Sequence, residues 1–118
     1  MGAVLTKCVV ARSHGEVLFG GVDRYHDIAV IQGMDGYEVN VNYRSSIPGD
    51  EPNSVNTQRS TIDGVCQVLL AYNPIRGIVK NQSGMKSRLR LAKVQEELTS
   101  QYLEQVCDVI EQLERLKN

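Results

Sequence analysis

The sequence predicts an α+β fold: an antiparallel sheet of about four to five strands in the N-terminal two-thirds, one short helix, and a long C-terminal helix packed on the sheet or on a partner. Three observations carry this reading. Residues 37–44 alternate strictly, with Tyr37, Val39, Val41 and Tyr43 on one side and Glu38, Asn40, Asn42 and Arg44 on the other. A strand with one buried and one wet face needs this period-two pattern. Asp35-Gly36, just before it, is a hairpin turn signal, because Gly readily takes the positive φ that tight turns require. From Gly84 to Leu116 there is no proline and no further glycine, and Leu, Glu, Gln, Lys and Arg predominate. All five are good helix formers.

The elements follow in order. Ala3–Arg12 is apolar and β-branched and reads as a strand. Ser13–Gly15 reads as a turn and Glu16–Gly21 as the returning strand, so a first hairpin is expected there. Asp27–Gly33 is a continuous apolar run suited to a central strand, and it forms a second hairpin with 36–44. Ser45–Asn56 contains Pro48 and Pro52 among Ser, Asn and Gly, and reads as an exposed loop. In 60–72, Ser60 and Asp63 resemble a capping box, and Ile62, Val65, Cys66 and Leu69 share one helical face. Gly64 weakens that helix by about 1 kcal/mol relative to Ala, and Val65–Tyr72 would also pass as a buried strand. The helix is the preferred reading, ended by Asn73-Pro74. Ile75–Lys80 reads as a short strand, and Ser83 as the N-cap of the last helix.

At 118 residues the chain has room for one domain. Residues 1–82 supply the sheet and the short helix, and 83–117 the long amphipathic helix of the same domain. The net charge of −1 excludes a whole-chain field that attracts nucleic acid or membrane. Cys8, Cys66 and Cys107 are odd in number, far apart, and form no C-x-x-C. A disulfide framework is therefore not expected, a reducing cytoplasmic location is, and each thiol is expected to pack as a small hydrophobe. The N-terminus lacks the features of a signal peptide, and no apolar run approaches the length of a membrane span. Gly2 and Thr6 match a weak N-myristoylation pattern. His14 and His26 are the only histidines, and neither carries a flanking catalytic signature. Asp23, Asp27, Asp35 and Glu38 match no metal-ligand spacing. No cofactor, metal or catalytic residue is expected.

The last helix is the most informative segment. About 33 residues at 1.5 Å each make a rod of about 50 Å, long for a globule of this size. Projected at 100° per residue it carries two apolar stripes. Leu91, Leu98, Tyr102, Val106, Val109, Leu113 and Leu116 form one; Met85, Leu89, Ala92, Leu103, Cys107 and Ile110 form the other. Leu103, Val106, Ile110 and Leu113 keep a coiled-coil rhythm, broken by the five-residue step from Leu98. The charge is segregated: residues 1–75 carry −3, 76–93 carry +6, and 94–118 carry −4.

Two functional expectations follow. The first is a non-enzymatic interaction module that forms a homo-oligomer or binds a helical protein partner. Leu89, Leu98, Leu103, Val106, Ile110 and Leu113 would make the contact. Antiparallel pairing would set each basic end beside an acidic end. The alternative is a nucleic-acid or other polyanion site on Lys80, Lys86, Arg88, Arg90 and Lys93, aided by the N–H groups that Asn81–Gly84 presents at the helix start. Against nucleotide binding, the segment is not G-x-x-x-x-G-K-[ST]. Against single-stranded nucleic acid, no aromatics interleave the basic residues.

Overall fold

The computed structural model describes residues 7–47, 49–78 and 83–116. Gly2, the start of the first expected strand and Lys80 lie outside the described residues. Strands β1 (Cys8–Phe19), β2 (Val22–Gly33), β3 (Gly36–Ser45) and β4 (Asn53–Arg59) form one antiparallel sheet in the order β1-β2-β3-β4. Helices α1 (Ile62–Ala71) and α2 (Met85–Leu116) cover one face, α1 over β3 and β4, α2 mainly over β1. The α+β expectation holds: four strands, one short helix and one long one.

Several elements differ from the expectation, each for a physical reason. Ser13–Gly15 is not a turn. β1 runs straight through it, with His14 opposite Asp27 and Gly15 opposite His26. The first hairpin turns instead at Gly20-Gly21, whose φ values of 62° and 76° suit glycine. Phe19 then pairs with Val22 and sets the register. In the second hairpin Met34 and Asp35 make the two-residue turn, with Gly33 opposite Gly36. The 45–56 loop is shorter than expected, because Asn53–Arg59 pairs with β3 as an edge strand. Its polar sequence hid it: an edge strand needs backbone pairing more than apolar side chains, and only Val55 marks an apolar inward position. Helix α1 settles the helix-or-strand ambiguity. Its cap is Thr61 rather than Ser60, the Thr61 hydroxyl accepting from Gly64 N at 3.0 Å. The expected strand at Ile75–Lys80 is a turn over its described part, with Arg76 N donating to Asn73 O and Ile78 N to Ile75 O. At the start of α2, Gly84 rather than Ser83 occupies the cap, because Gly84 O accepts from Arg88 N at 3.1 Å and its φ is 86°. The thiols also depart from expectation: Cys8 and Cys107 are exposed and only Cys66 is half-buried, and none of the three is in a disulfide.

The core is built from alternate positions. β2 contributes Ile28 and Val30, β3 contributes Val39, Val41 and Tyr43, and α1 contributes Val65 and Leu69. Against them α2 lays Tyr102, Val106, Val109 and Leu113. A second cluster joins Val17, Tyr43 and Ile78 to Val94 and Leu98 nearer the start of α2. Each fully buried Leu or Val contributes on the order of 1.5–3 kcal/mol. The long helix stretches the molecule to 62 × 29 × 21 Å with a radius of gyration of 16.5 Å. A compact chain of this length would have about 13 Å.

At Gly15 the side chains of α2 come close against β1. A Cβ built there would lie 2.5 Å from Gln105 Cδ and Oε1 and 2.6 Å from Gln101 Nε2. Gly15→Val is expected to cost about 1–3 kcal/mol through overpacking. Chemical denaturation checks this: an unchanged midpoint would show that α2 does not depend on the approach.

Candidate functional site

Helix α2 is held on the sheet by two carboxamides as well as by its apolar stripe. Gln105 Nε2 donates to His26 O at 2.8 Å and to Ser13 O at 3.4 Å. Gln112 pairs with the backbone of Arg12 in both directions: Arg12 N donates to Oε1 at 3.1 Å, and Nε2 donates to Arg12 O at 3.0 Å. Since β1 is an edge strand, Gln112 satisfies main-chain groups that a further strand would otherwise take. These contacts fix which side of α2 faces inward.

That rotation divides the expected partner-binding residues. Leu98, Val106 and Leu113 are buried in the chain's own core, and Ile110 is half-buried against it. Leu89 and Leu103 remain 58% and 48% exposed. The six therefore do not form one free surface. The residues left outside are Met85, 81% exposed, with Leu89, Ala92, Leu103 and Cys107, a row interrupted by Glu96 and Ser100. The charges flank this row. Lys86, Arg88, Arg90 and Lys93 are exposed in its first half, and Glu104, Asp108, Glu111 and Glu114 in its second. Among the described residues none of these eight makes an ion pair. The described anion-site residues are all exposed, but Arg88 and Arg90, two residues apart on one helix, point to nearly opposite sides of it.

Two polar constellations lay outside the sequence-based expectation. Arg24 projects into the interior from β2, where its Nε meets Asp50 Oδ2 at 3.3 Å. The Tyr43 hydroxyl donates to the same oxygen at 3.0 Å. Burial, and then the Asp50 charge, push Tyr43 up to about 12. Arg24 Nη1 is buried with no hydrogen-bond partner. The second constellation is His26, also inward on β2, between Tyr43, Tyr72 and Tyr102 at ring-centroid distances of 5.0, 5.7 and 5.4 Å. The signal was available in the sequence: Arg24 and His26 share the strand parity of Ile28 and Val30, so a β2 begun at Val22 places both inside.

The two histidines sit in opposite environments. On the open face of the sheet, His14 lies between Glu16 and Asp27, and hydrogen bonds to these two carboxylates raise its pKa. Burial lowers His26 to about 4, opposed from nearby by the Pro74 carbonyl and by the Asp27 charge. The Pro74 carbonyl does not close a hydrogen bond to Nε2, which has no partner. Among the described residues no three His, Cys, Asp or Glu side chains are placed to hold a metal ion. Among the same residues no helix is long and apolar enough to cross a membrane.

The sign of the pH dependence follows. His26 is neutral when folded, so its contribution is fully present above the unfolded value of 6.5 and is lost as pH falls toward 4. The loss amounts to roughly 3 kcal/mol. His14 acts oppositely, favouring the fold below 6.5 and losing its effect as pH rises through its raised value, but exposure makes that term small. His26→Phe is expected to flatten stability between pH 6.5 and 4, measured by denaturation at each pH. A wild-type His26 ring that titrated near 6.5 by NMR would contradict this assignment. No protein-family model, curated protein or solved structure matches the chain.

Proposed function

We propose that this chain is a non-enzymatic assembly module that self-associates through the outer face of α2, with two copies lying antiparallel. The supporting observation is one helix of 32 residues whose outer face joins exposed Met85, Leu89, Leu103 and Cys107 to a reversal of charge along its length. The charge order does not favour the helix itself. Basic groups at its start and acidic groups near its end oppose the macrodipole, at a cost of tenths of a kcal/mol each. An antiparallel pair turns the same order into complementarity, because each basic half then lies along an acidic half. A parallel pair would oppose like charges.

Light scattering checks this reading. The wild-type chain is expected to form a dimer or larger assembly at high micromolar concentration, weakened by salt. Leu89→Glu combined with Leu103→Glu should yield a monomer. Both positions are exposed, so unfolding should shift by no more than about 0.5 kcal/mol for each. A monomeric wild type, or a variant of undiminished mass, sinks the proposal.

A second reading, a polyanion-binding surface, rests on Lys86, Arg88, Arg90 and Lys93 being exposed and without ion-pair partners among the described residues. It requires salt-sensitive retention on heparin that Arg88→Glu with Arg90→Glu abolishes. Retention unchanged by those substitutions excludes it.

A further inference from the structure

Beside the start of α2 lies a cavity of about 260 Å³, bounded by the β1–β2 turn, Ile47, Asp50, Ile78 and the first turns of α2. Its polar lining is small and specific: Arg24, Asp50, Ser87 and Arg90. Arg24 is 6% exposed, so it is more than nine-tenths buried. Its guanidinium carries a fixed positive charge and five N–H donors. Asp50 takes Nε, while Nη1 has no partner. A guanidinium this deeply buried keeps its full charge, and the Arg24 side chain forms part of the cavity wall.

The electrostatics favour an anion. Arg24 and Arg90 bring two positive charges against the one carboxylate of Asp50, which is already engaged by Arg24 Nε and the Tyr43 hydroxyl. Ser87 is the third residue of α2, where main-chain N–H groups lack intrahelical acceptors and the helix presents its positive end. The rest of the lining is apolar, including Phe19, Val22, Ile47 and Leu91. A bare inorganic ion would leave those walls unused. The volume lies just below the range of about 300–1,000 Å³ usual for drug-sized ligands, so the occupant is the size of a fragment.

We propose that this cavity binds a small organic anion, its carboxylate or phosphate head on Arg24 and Arg90 and its apolar body against Phe19, Val22 and Leu91. Both heads present the planar or tetrahedral oxygens that an arginine fork recognises. The site is independent of helix pairing: it needs only one copy of the chain.

The test is an NMR titration of the full chain with benzoate, phenyl phosphate, inorganic phosphate and benzyl alcohol. At least one of the two organic anions is expected to give saturable one-to-one shifts at Ser87, Leu91 and the Arg24 Nε–H, with a dissociation constant of roughly millimolar or below. The tighter of the two identifies the head group. Arg90→Gln, at an exposed position that leaves the core intact, should weaken that binding about tenfold or more. Three results overturn the proposal: no saturation with either organic anion, equal binding of benzyl alcohol or inorganic phosphate, or undiminished binding by Arg90→Gln.

Discussion

The architecture depends on one close approach, that of α2 to β1 at Gly15. With no Cβ at that position, Gln105 lies against the strand and its carboxamide donates to the carbonyls of His26 and Ser13. Two turns further on, Gln112 closes the edge of β1 at Arg12. Apolar packing alone is nearly indifferent to small rotations of a helix, since any face with enough Leu and Val will do. Hydrogen bonds to main-chain groups are directional and fix the rotation. Gln105 and Gln112 lie seven residues apart, close to two helical turns, so one orientation satisfies both. That orientation sends Leu98, Tyr102, Val106, Val109 and Leu113 inward. It leaves Met85, Leu89, Leu103 and Cys107 outside.

The same docking creates the interior polar groups. Once α2 lies over β1, the inward positions of β2 opposite Gly15 and Val17 become interior, and these are His26 and Arg24. The chain accommodates them differently. His26 gives up its charge and packs among three tyrosine rings. Arg24 cannot give up its charge and takes Asp50 as a partner instead. A buried ion pair is weak evidence for stability, because desolvating both ions offsets most of their attraction. Here Asp50 also accepts from the buried Tyr43 hydroxyl, so the pair is part of a larger polar network. The pair leaves one guanidinium nitrogen unsatisfied, and the Arg24 side chain also lines a cavity.

Much of the fold was legible, for reasons that can be traced to residues. The Tyr37–Tyr43 alternation is a direct image of a half-buried strand, and Val39, Val41 and Tyr43 are all buried. Helix α2 was legible because nothing between Met85 and Leu116 interrupts it. Strand β4 was not, because Asn53, Ser54, Asn56, Thr57 and Gln58 resemble a loop until β3 supplies the pairing. The continuity of β1 was hidden for a related reason: Ser13-His14-Gly15 looks like a turn, yet the glycine serves a tertiary contact. The surface of α2 was half legible. Both apolar stripes could be counted, but which of them the sheet would take depended on Gln105 and Gln112, whose partners are main-chain groups about 80–100 residues away. The expected contact row accordingly mixed exposed Leu89 and Leu103 with buried Leu98, Val106 and Leu113.

The open face of the sheet bears on where interaction potential resides. It mixes apolar residues such as Leu18 and Ile31 with polar ones, and several of the polar groups are already paired with one another. Glu38 accepts from Asn40, Asn56 and Gln58 and lies 3.8 Å from Lys7 Nζ, and these hydrogen bonds, Asn40 first, lower its pKa. Ser54 donates to Asn42, and His14 bridges Glu16 and Asp27. A ligand that engaged Glu38, Ser54 or His14 would have to break these internal contacts for each one it made, which leaves little net gain. The outer face of α2 is the reverse case. Its basic and acidic side chains have no ion-pair partners among the described residues, and its apolar row has no cover. Binding there removes apolar surface from water without breaking an existing ion pair. On the proposed reading the sheet is the scaffold, and a partner would draw its affinity from the helix laid across it.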